Sequence, residues 1–189
     1  GKTTLSDQIL VKIKNGIVLG TDNYYKTGLI SKFLSKFVKG YFDKSISFNY
    51  KLFKKDFDFI IKNGISIHER SYNFKNKSKK IFTKKTNNIK FLIIEGIFAK
   101  ECSINLYDPN YFFIELKINK IDCMNRVIGR DLAERGKNKK QAKEDFLKSW
   151  DIYYEKFKYK RMEKKTNEFL ITKKTKIDSI LKKIFNLKY

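Results

Sequence analysis

The chain has 189 residues, 41% hydrophobic and 15% aromatic, a composition that excludes a disordered chain and predicts one domain with a large core. Its formal net charge of +23 would suit a nucleic-acid partner, but the lysines spread along the whole chain, which favours solvated surface lysines. No apolar run reaches the roughly 18 residues of a membrane span, and the two isolated cysteines are typical of a reducing compartment. We therefore expect a cytoplasmic protein with no membrane partner and no specific nucleic-acid partner.

The first residues, GKTTLSDQIL, have the pattern of the second half of a phosphate-binding loop. Gly1 lets main-chain N–H groups point at a phosphate, Lys2 can reach the β- and γ-phosphates of a nucleotide, and the Thr3 hydroxyl can hold Mg²⁺. An amphipathic helix follows at once, and its positive N-terminal end would point at the anion. The strand that precedes such a loop is not in the sequence, so we expect the first strand of the sheet to be missing from this chain.

Apolar β-type segments alternate with amphipathic helical segments along the rest of the chain. The apolar segments predict strands at 16–20, 89–96, 111–118 and 168–172. The spacing of apolar residues between them predicts helices at 3–14, 49–63, 119–135, 140–160 and 175–187. The basic segment 65–82 is predicted to be a small β-hairpin inserted at the sheet edge. Together these elements predict an α/β fold with a parallel sheet covered by helices on both faces.

Carboxylates follow two of the predicted strands directly. Asp22 comes after strand 16–20, and Glu95 ends the apolar run FLII. Ligands of open parallel sheets bind at the carboxyl ends of the strands, where a carboxylate can take a proton from a hydroxyl or hold Mg²⁺. A turn or helix-capping role is the alternative for both residues.

A basic segment, RVIGRDLAERGK at 126–137, is predicted to be one helix within a lid at about 126–140. Arg126 and Arg130 are four residues apart and share a face of that helix. Cations on a lid of this kind can close over a transferring phosphoryl group and offset its charge. A solvated basic helix is the alternative in so basic a chain.

Six segments, taken in order, resemble the uridine kinase family of P-loop kinases, which includes phosphoribulokinase-like members. They are GKTTL, TDNYYK, YFDKSISFNYKLF, SYNFKNKSKK, FLIIEGIFA and GRDLAERGK. The six extend over nearly the whole chain, and their order and spacing carry more weight than any single segment. The resemblance implies a P-loop NTPase-type three-layer fold, ATP and Mg²⁺ as cofactors, and a possible homo-oligomer.

The resemblance also implies a role for each matching residue. Asp22 would be the base that activates a sugar hydroxyl, with Lys2 as its catalytic partner at the phosphates. The ATP-binding residues would be Gly1, Lys2, Thr3, Thr4, Arg130, Arg135 and Lys137. Mg²⁺ would lie among Thr3, Asp22 and Glu95. The acceptor pocket would be lined by Tyr25, Phe42, Asp43, Tyr72 and Phe74.

The sequence departs from the family pattern mainly near the acceptor. Asn73, Lys77 and Lys79 stand where the family has Asp, His and Arg, and Val127 and Asp145 stand where it has Arg and Gln. We predict ATP-dependent phosphorylation of a small-molecule hydroxyl, with the 5′-hydroxyl of uridine or cytidine, in pyrimidine salvage, as the leading acceptor. The alternatives are another sugar, vitamin or metabolite acceptor, a nucleic-acid-binding NTPase, and a homologue that binds nothing.

Overall fold

The structure, a computed structural model, describes residues 1–105, 111–158, 168–172 and 175–186. The helices in these ranges are Lys2–Lys12 (α1), Leu29–Phe37 (α2), Tyr50–Asn63 (α3), Ala99–Asn105 (α4), Lys120–Glu134 (α5), Lys139–Lys158 (α6) and Ile177–Asn186 (α7). The strands are Gly16–Gly20 (β1), Ser66–Asn73 (β2), Ser78–Thr86 (β3), Phe91–Glu95 (β4), Phe113–Leu116 (β5) and Glu168–Ile171 (β6). Short 3₁₀ turns occupy Thr21–Tyr24, Tyr41–Asp43 and Ser45–Ser47.

The parallel strands form two pairs. β1 pairs with β4, with Gly16 opposite Phe91 and Gly20 opposite Glu95, and β5 pairs with β6. Within the described ranges β4 and β5 are not bonded to each other. Instead, residues of both strands line one open cleft of about 1440 Å³, together with residues of α1. The carboxyl ends of β1 and β4 open into this cleft, because Asp22 and Glu95 also line it.

Two hydrophobic clusters lie on opposite faces of the β1–β4 pair. Leu92 and Ile94 pack into a cluster with buried Phe53 of α3, whereas Phe91 and Ile93 pack with α1 and α7. Alternate residues of a strand point to opposite faces, so an apolar strand of this kind must be covered on both sides. The prediction of helices on both faces of a parallel sheet is therefore confirmed.

Helix α3 carries signals at both of its ends. The Asn49 side chain caps it by accepting a 3.1 Å hydrogen bond from the main-chain N–H of Leu52. Gly64 ends it with φ 62°, in the left-handed region that glycine adopts without strain. Phe53, which is fully buried, and Ile60, which is 4% exposed, face the core from this helix. The helix is thereby held in place, and strand β2 of the hairpin packs against it.

The hairpin is antiparallel, with Tyr72 opposite Lys79 and Asn73 opposite Ser78. Its turn is closed by the Asn73 side chain, which accepts hydrogen bonds from the main-chain N–H groups of Lys75 and Asn76 at 2.9 and 3.2 Å. Asparagine is a common turn residue because its side chain can accept bonds from main-chain N–H groups a few positions ahead, here two and three. The hairpin is longer than predicted, because β3 continues to Thr86.

Most predicted elements are confirmed within a few residues, and two further points differ. The basic segment 126–137 is not one helix: α5 ends at Glu134, and Gly136 turns the chain with φ 65°. Helices α2 and α4 were not predicted. The predicted helix ends at 159–160 and 187 lie outside the described residues. None of the helices in the described ranges is long and apolar enough to cross a membrane.

Candidate active site at the strand ends

The carboxyl ends of β1 and β4 are held together by a close approach of their main chains. Thr21 is fully buried beside Gly96, and a Cβ on Gly96 would overlap the Thr21 hydroxyl. Gly96 also has φ 128°, which side chains rarely permit. A glycine is therefore required here, and it brings Glu95 and Asp22 to one end of the sheet.

Thr3 and Glu95 form the point where α1 meets this site. The Thr3 hydroxyl lies 3.4 Å from Oε1 of Glu95 and donates to it. Burial raises the pKa of Glu95, and the negative charge of Asp22 raises it further. A cation between the two carboxylates would relieve that repulsion, so the residues present fit Mg²⁺.

The oxygen atoms of Thr3, Asp22 and Glu95 would fill only part of the coordination shell of Mg²⁺. In the described part of the chain, no group of three or more His, Cys, Asp and Glu side chains is placed to hold a metal. A Mg²⁺ held by few protein ligands keeps waters and substrate phosphates in its coordination shell, as is usual for this ion.

Four aromatic rings form a wall beside Asp22. The Tyr25 ring centroid lies 5.2 Å from that of Phe42, 5.3 Å from Tyr72 and 5.6 Å from Phe74. The Tyr25 hydroxyl donates to the Phe42 carbonyl oxygen at 2.9 Å and lies 3.5 Å from Oδ1 of Asp22. Burial, followed by the charge of Asp22, raises the pKa of Tyr25 well above its usual value. The structure thus brings together the four rings predicted to line the acceptor pocket.

Asp43 lies next to this aromatic wall and is held from α6. Ser149 donates a 2.7 Å hydrogen bond to Oδ2 of Asp43. Burial raises the pKa of Asp43 despite that bond, and the charge of Asp22 acts in the same direction. Sequence reasoning missed Ser149, because 106 residues separate it from Asp43 and a lone helical serine carries no signal.

The three predicted ATP-binding cations of the lid converge on one buried carboxylate. Asp131 is 2% exposed, and it accepts hydrogen bonds from Arg130 at 2.8 Å and Lys137 at 3.0 Å. Arg135 is the third cation, with its Nη1 atom 3.5 Å from Oδ1 of Asp131. Burial would raise the pKa of Asp131, but the bonds from Arg130 and Lys137 outweigh it and hold the pKa below its usual value. We name these four residues the Asp131 cluster.

The Asp131 cluster contacts the aromatic wall through Arg135. Its guanidinium lies over the Phe74 ring, 4.1 Å from the centroid, in a cation–π contact. Burial lowers the pKa of Arg135, and Asp22 is among the carboxylates that oppose this. Lys137 also contacts Asp145 at 3.0 Å. The lid therefore lies against the acceptor side of the site in this structure.

Arg126 lies at the other side of the site, beside the first turn of α1. Its Nη1 atom is 3.9 Å from the position that a Cβ would take on Gly1. Arg126 and Lys2 both line the cleft, and within the described ranges Arg126 forms no ion pair with a carboxylate. Arg126 is predicted from the sequence as a lid cation beside Arg130 but is not among the predicted ATP-binding residues. Its signal was the four-residue spacing from Arg130, which does not tell which arginine approaches the phosphate-binding segment.

The residues that depart from the family pattern fall into separate environments. Asn73 closes the hairpin turn, as described above. Lys77 donates a 2.7 Å hydrogen bond to Ser35 of α2 and lies 6.0 Å from the Phe42 ring centroid. It has φ 53° in the turn and lines the cleft. Burial lowers the pKa of Lys79, which lies opposite Tyr72 on the hairpin.

This fold, with carboxylates and a Gly-Lys-Thr segment at the strand ends, is that of a P-loop kinase. The profile of the Phosphoribulokinase / Uridine kinase family matches residues 4–177, and the chain belongs to that family. The uridine kinase of Borrelia hermsii is 31% identical over 164 residues, which cover 83% of this chain and 74% of that one. The uridine kinase of Borreliella burgdorferi (strain ZS7) is 30% identical over 162 residues, covering 81% and 73%.

Solved structures show the same fold. A Silicibacter sp. TM1040 protein described as a fructose transport system kinase matches with TM-score 0.57 and 16% identity, covering 80% of this chain and 78% of that one. The YGR205w protein matches with TM-score 0.52 and 12% identity, covering 90% and 78%. At these identities the likeness concerns the fold alone. Membership of the family implies that the chain uses ATP.

Proposed function

We propose that this protein transfers the γ-phosphoryl group of ATP to a hydroxyl of a small molecule, with the 5′-hydroxyl of uridine or cytidine as the leading acceptor. The observation that carries the proposal is the position of Asp22. It lies between the Thr3–Glu95 contact on one side and the Tyr25 hydroxyl on the other. A carboxylate between a phosphate-binding segment and an aromatic pocket is placed to take a proton from an acceptor hydroxyl.

On the nucleotide side, the main-chain N–H groups at Gly1 to Thr4 and the Lys2 ammonium would hold the phosphates. The Arg126 guanidinium would also contact the phosphates, since it lies beside Gly1 and is not paired with a carboxylate among the described residues. Thr3, Glu95 and Asp22 would hold Mg²⁺, which neutralises phosphate charge when it is bound. Arg130, Arg135 and Lys137 would add positive charge from the Asp131 cluster.

On the acceptor side, the aromatic wall would stack on a flat ring, and Asp43 would accept hydrogen bonds from sugar hydroxyls. Ser149 fixes the Asp43 carboxylate by its 2.7 Å bond. The relatives named above as uridine kinases support a nucleoside acceptor, used in pyrimidine salvage. Lys77 on the pocket wall is also compatible with a different acceptor, because a fixed ammonium favours ligands that carry an anion or several carbonyl oxygens.

The test is a panel of acceptors read by ADP release, with uridine, cytidine, ribulose phosphate, pantothenate and nicotinamide riboside. We expect ADP release that depends on one of these hydroxyl compounds, and uridine above cytidine, whose amino group is a donor facing Lys77. ADP release that no acceptor stimulates would refute the proposed function. A preference for cytidine would refute the position given to Lys77.

A nucleic-acid-binding NTPase is the rival that the charge of +23 favours. Binding to duplex DNA through lysines falls steeply with salt, with a log–log slope near −0.9 per neutralised phosphate. We expect only weak binding that salt abolishes and that ignores sequence. Tight binding at physiological salt with a preferred sequence would rank the rival above the kinase.

A further inference from the structure

A buried ion pair outside the candidate site joins helix α3 to the hairpin. Arg70 of β2 donates to Asp56 of α3 twice, from Nε to Oδ2 at 2.5 Å and from Nη2 to Oδ1 at 3.0 Å. The side chains are 8% and 16% exposed. Tyr24 adds a third bond, from its hydroxyl to Oδ2 of Asp56 at 3.0 Å. Two planar groups bonded at two points fix both distance and orientation.

The surroundings of this pair differ from those of an ordinary surface pair. Lys54 and Asp58, four residues apart on the same helix, also pair at 2.7 Å, but their side chains are 49% and 53% exposed. An exposed ion pair adds little to stability. Burying an ion pair costs the hydration of both charges, so its net stabilisation is also small, but it fixes the relative position of the two side chains. The main effect of the Asp56–Arg70 pair is therefore to fix how α3 and β2 are positioned relative to each other.

That geometry concerns the segment that carries Asp22. Tyr24, which bonds Asp56, is two residues after Asp22, and Asn23 between them accepts a 3.2 Å hydrogen bond from the Tyr72 main-chain N–H. Arg70 and Tyr72 lie on the same face of β2, because strand residues alternate. Two adjacent bonds thus tie the hairpin face with the acceptor rings to the turn with the proposed base.

We propose that Asp56 and Arg70 are positioning residues that set the distance between Asp22 and the Tyr72–Phe74 part of the aromatic wall. The inference rests on the proposed function, since the wall is there taken to hold the acceptor. Neither residue touches the reacting groups. With the pair intact, an acceptor stacked on the wall presents its hydroxyl to Asp22, and without it the hairpin shifts relative to the base.

The test removes every polar member of the network at once. The triple variant Tyr24→Phe, Asp56→Leu, Arg70→Met leaves no unpaired buried group, so we expect its Tm to equal or exceed that of the parent. We expect kcat/KM for the acceptor to fall by about tenfold to a hundredfold, because a misplacement near 1 Å costs that much. The KM for ATP should change by less than about twofold, since Arg135, which lies over Phe74, is the proposed ATP-binding cation that contacts the hairpin, while Lys2 and Arg126 lie beside Gly1.

A matched control lies on the same helix. Lys54→Met with Asp58→Leu removes the exposed pair, and we expect both KM values and kcat to stay at parental levels. The single variant Arg70→Lys keeps the charge but loses the two-point geometry, so it should show the acceptor defect of the triple variant. Parental acceptor kinetics in the triple variant would overturn the inference, as would an equal loss on the ATP side.

A parent that phosphorylates none of the panel acceptors would refute the proposed function, and a second readout then decides the positioning role. Amide hydrogen exchange of the 21–24 turn and β2 should be faster in the triple variant than in the parent and in the control. Unchanged exchange at both segments would overturn the inference.

Discussion

The acceptor side and the phosphate side of this site are built differently. The acceptor side is held together by its own contacts: its four rings pack in edge-to-face and tilted pairs, Arg135 lies on Phe74, and the Asp56–Arg70 pair joins the hairpin to α3. At the phosphate-binding segment, a 3.4 Å hydrogen bond joins Thr3 to Glu95, and exposed Lys2 and Arg126 lie at the cleft. The difference teaches that packing defines the acceptor pocket, whereas charge defines the nucleotide site. Substitutions in the acceptor pocket should therefore alter the stability of the fold, and substitutions of the exposed cations at the phosphate-binding segment should alter nucleotide binding alone.

The largest effect is expected at the centre of the aromatic wall. Tyr25 is 3% exposed and contacts the other three rings of the wall. Tyr25→Ala should lower the free energy of unfolding by about 3–5 kcal/mol, as for other large-to-small changes in a core. Chemical denaturation measures the loss, and Tyr111→Ala, at a half-buried tyrosine, is the control and should cost less. A loss below about 1 kcal/mol would show that the wall does not hold itself.

Next is the buried carboxylate of the Asp131 cluster. Asp131→Asn removes the shared counter-charge of Arg130 and Arg135 and leaves Lys137 with Asp145 alone, so it should cost about 3 kcal/mol at neutral pH. Because the pKa of Asp131 is held below its unfolded value, the parent's advantage should be full above about pH 4 and decline as the pH falls through the lowered pKa. Stability measured from pH 7 to 3 tests this. An advantage that grows on acidification would contradict it.

On the phosphate side, Lys2→Ala should weaken ATP binding without loss of stability. A bond to a charged partner contributes about 1.5–3 kcal/mol, which corresponds to roughly tenfold to a hundredfold in Kd. Titration calorimetry measures the Kd, Tm reports the stability, and Lys14→Ala, an exposed lysine just after the same helix, is the control. An ATP affinity equal to the parent's would refute the phosphate-binding role of GKTT. Arg126→Ala should weaken ATP binding in the same direction.

The smallest effect is expected at the hairpin turn. Lys77→His restores the acceptor that a neutral imidazole supplies, and we expect the turnover of pyrimidine nucleosides to rise a few-fold. The 2.7 Å bond to Ser35 will be lost, so Ser35→Ala serves as the control for that contact. If every nucleoside rate stays the same in Lys77→His, Lys77 does not face the acceptor.

Sequence patterns located the elements and residues whose signals are local. The apolar runs at β1 and β4 predicted strands, and the carboxylates after them fell at one sheet edge because parallel strands end together. The hairpin rings met because residues two apart share a face. Six family segments in order were enough to place the chain in its family.

The residues missed by sequence reasoning depend on distant partners. Ser149 meets Asp43 across 106 positions, and Lys77 meets Ser35 across 42. Asp56 and Arg70 are charged residues within an amphipathic helix and a polar strand, where solvation is the ordinary expectation. Only the packing of α3 against the hairpin shows that they are buried. The split of the basic segment at Gly136 was missed because its helical spacing continues past the real end of α5.

Asp22 joins the two sides, and its removal tests the account most directly. Asp22→Asn is nearly isosteric and cannot take a proton, so we expect kcat for the acceptor reaction to fall about 10²–10⁴-fold. The Kd for ATP in the same protein should stay within a few-fold of the parent, and Asp58→Asn, at an exposed position of α3, should change neither quantity. A variant that keeps kcat within a few-fold of the parent would contradict the account, because the base would then lie elsewhere.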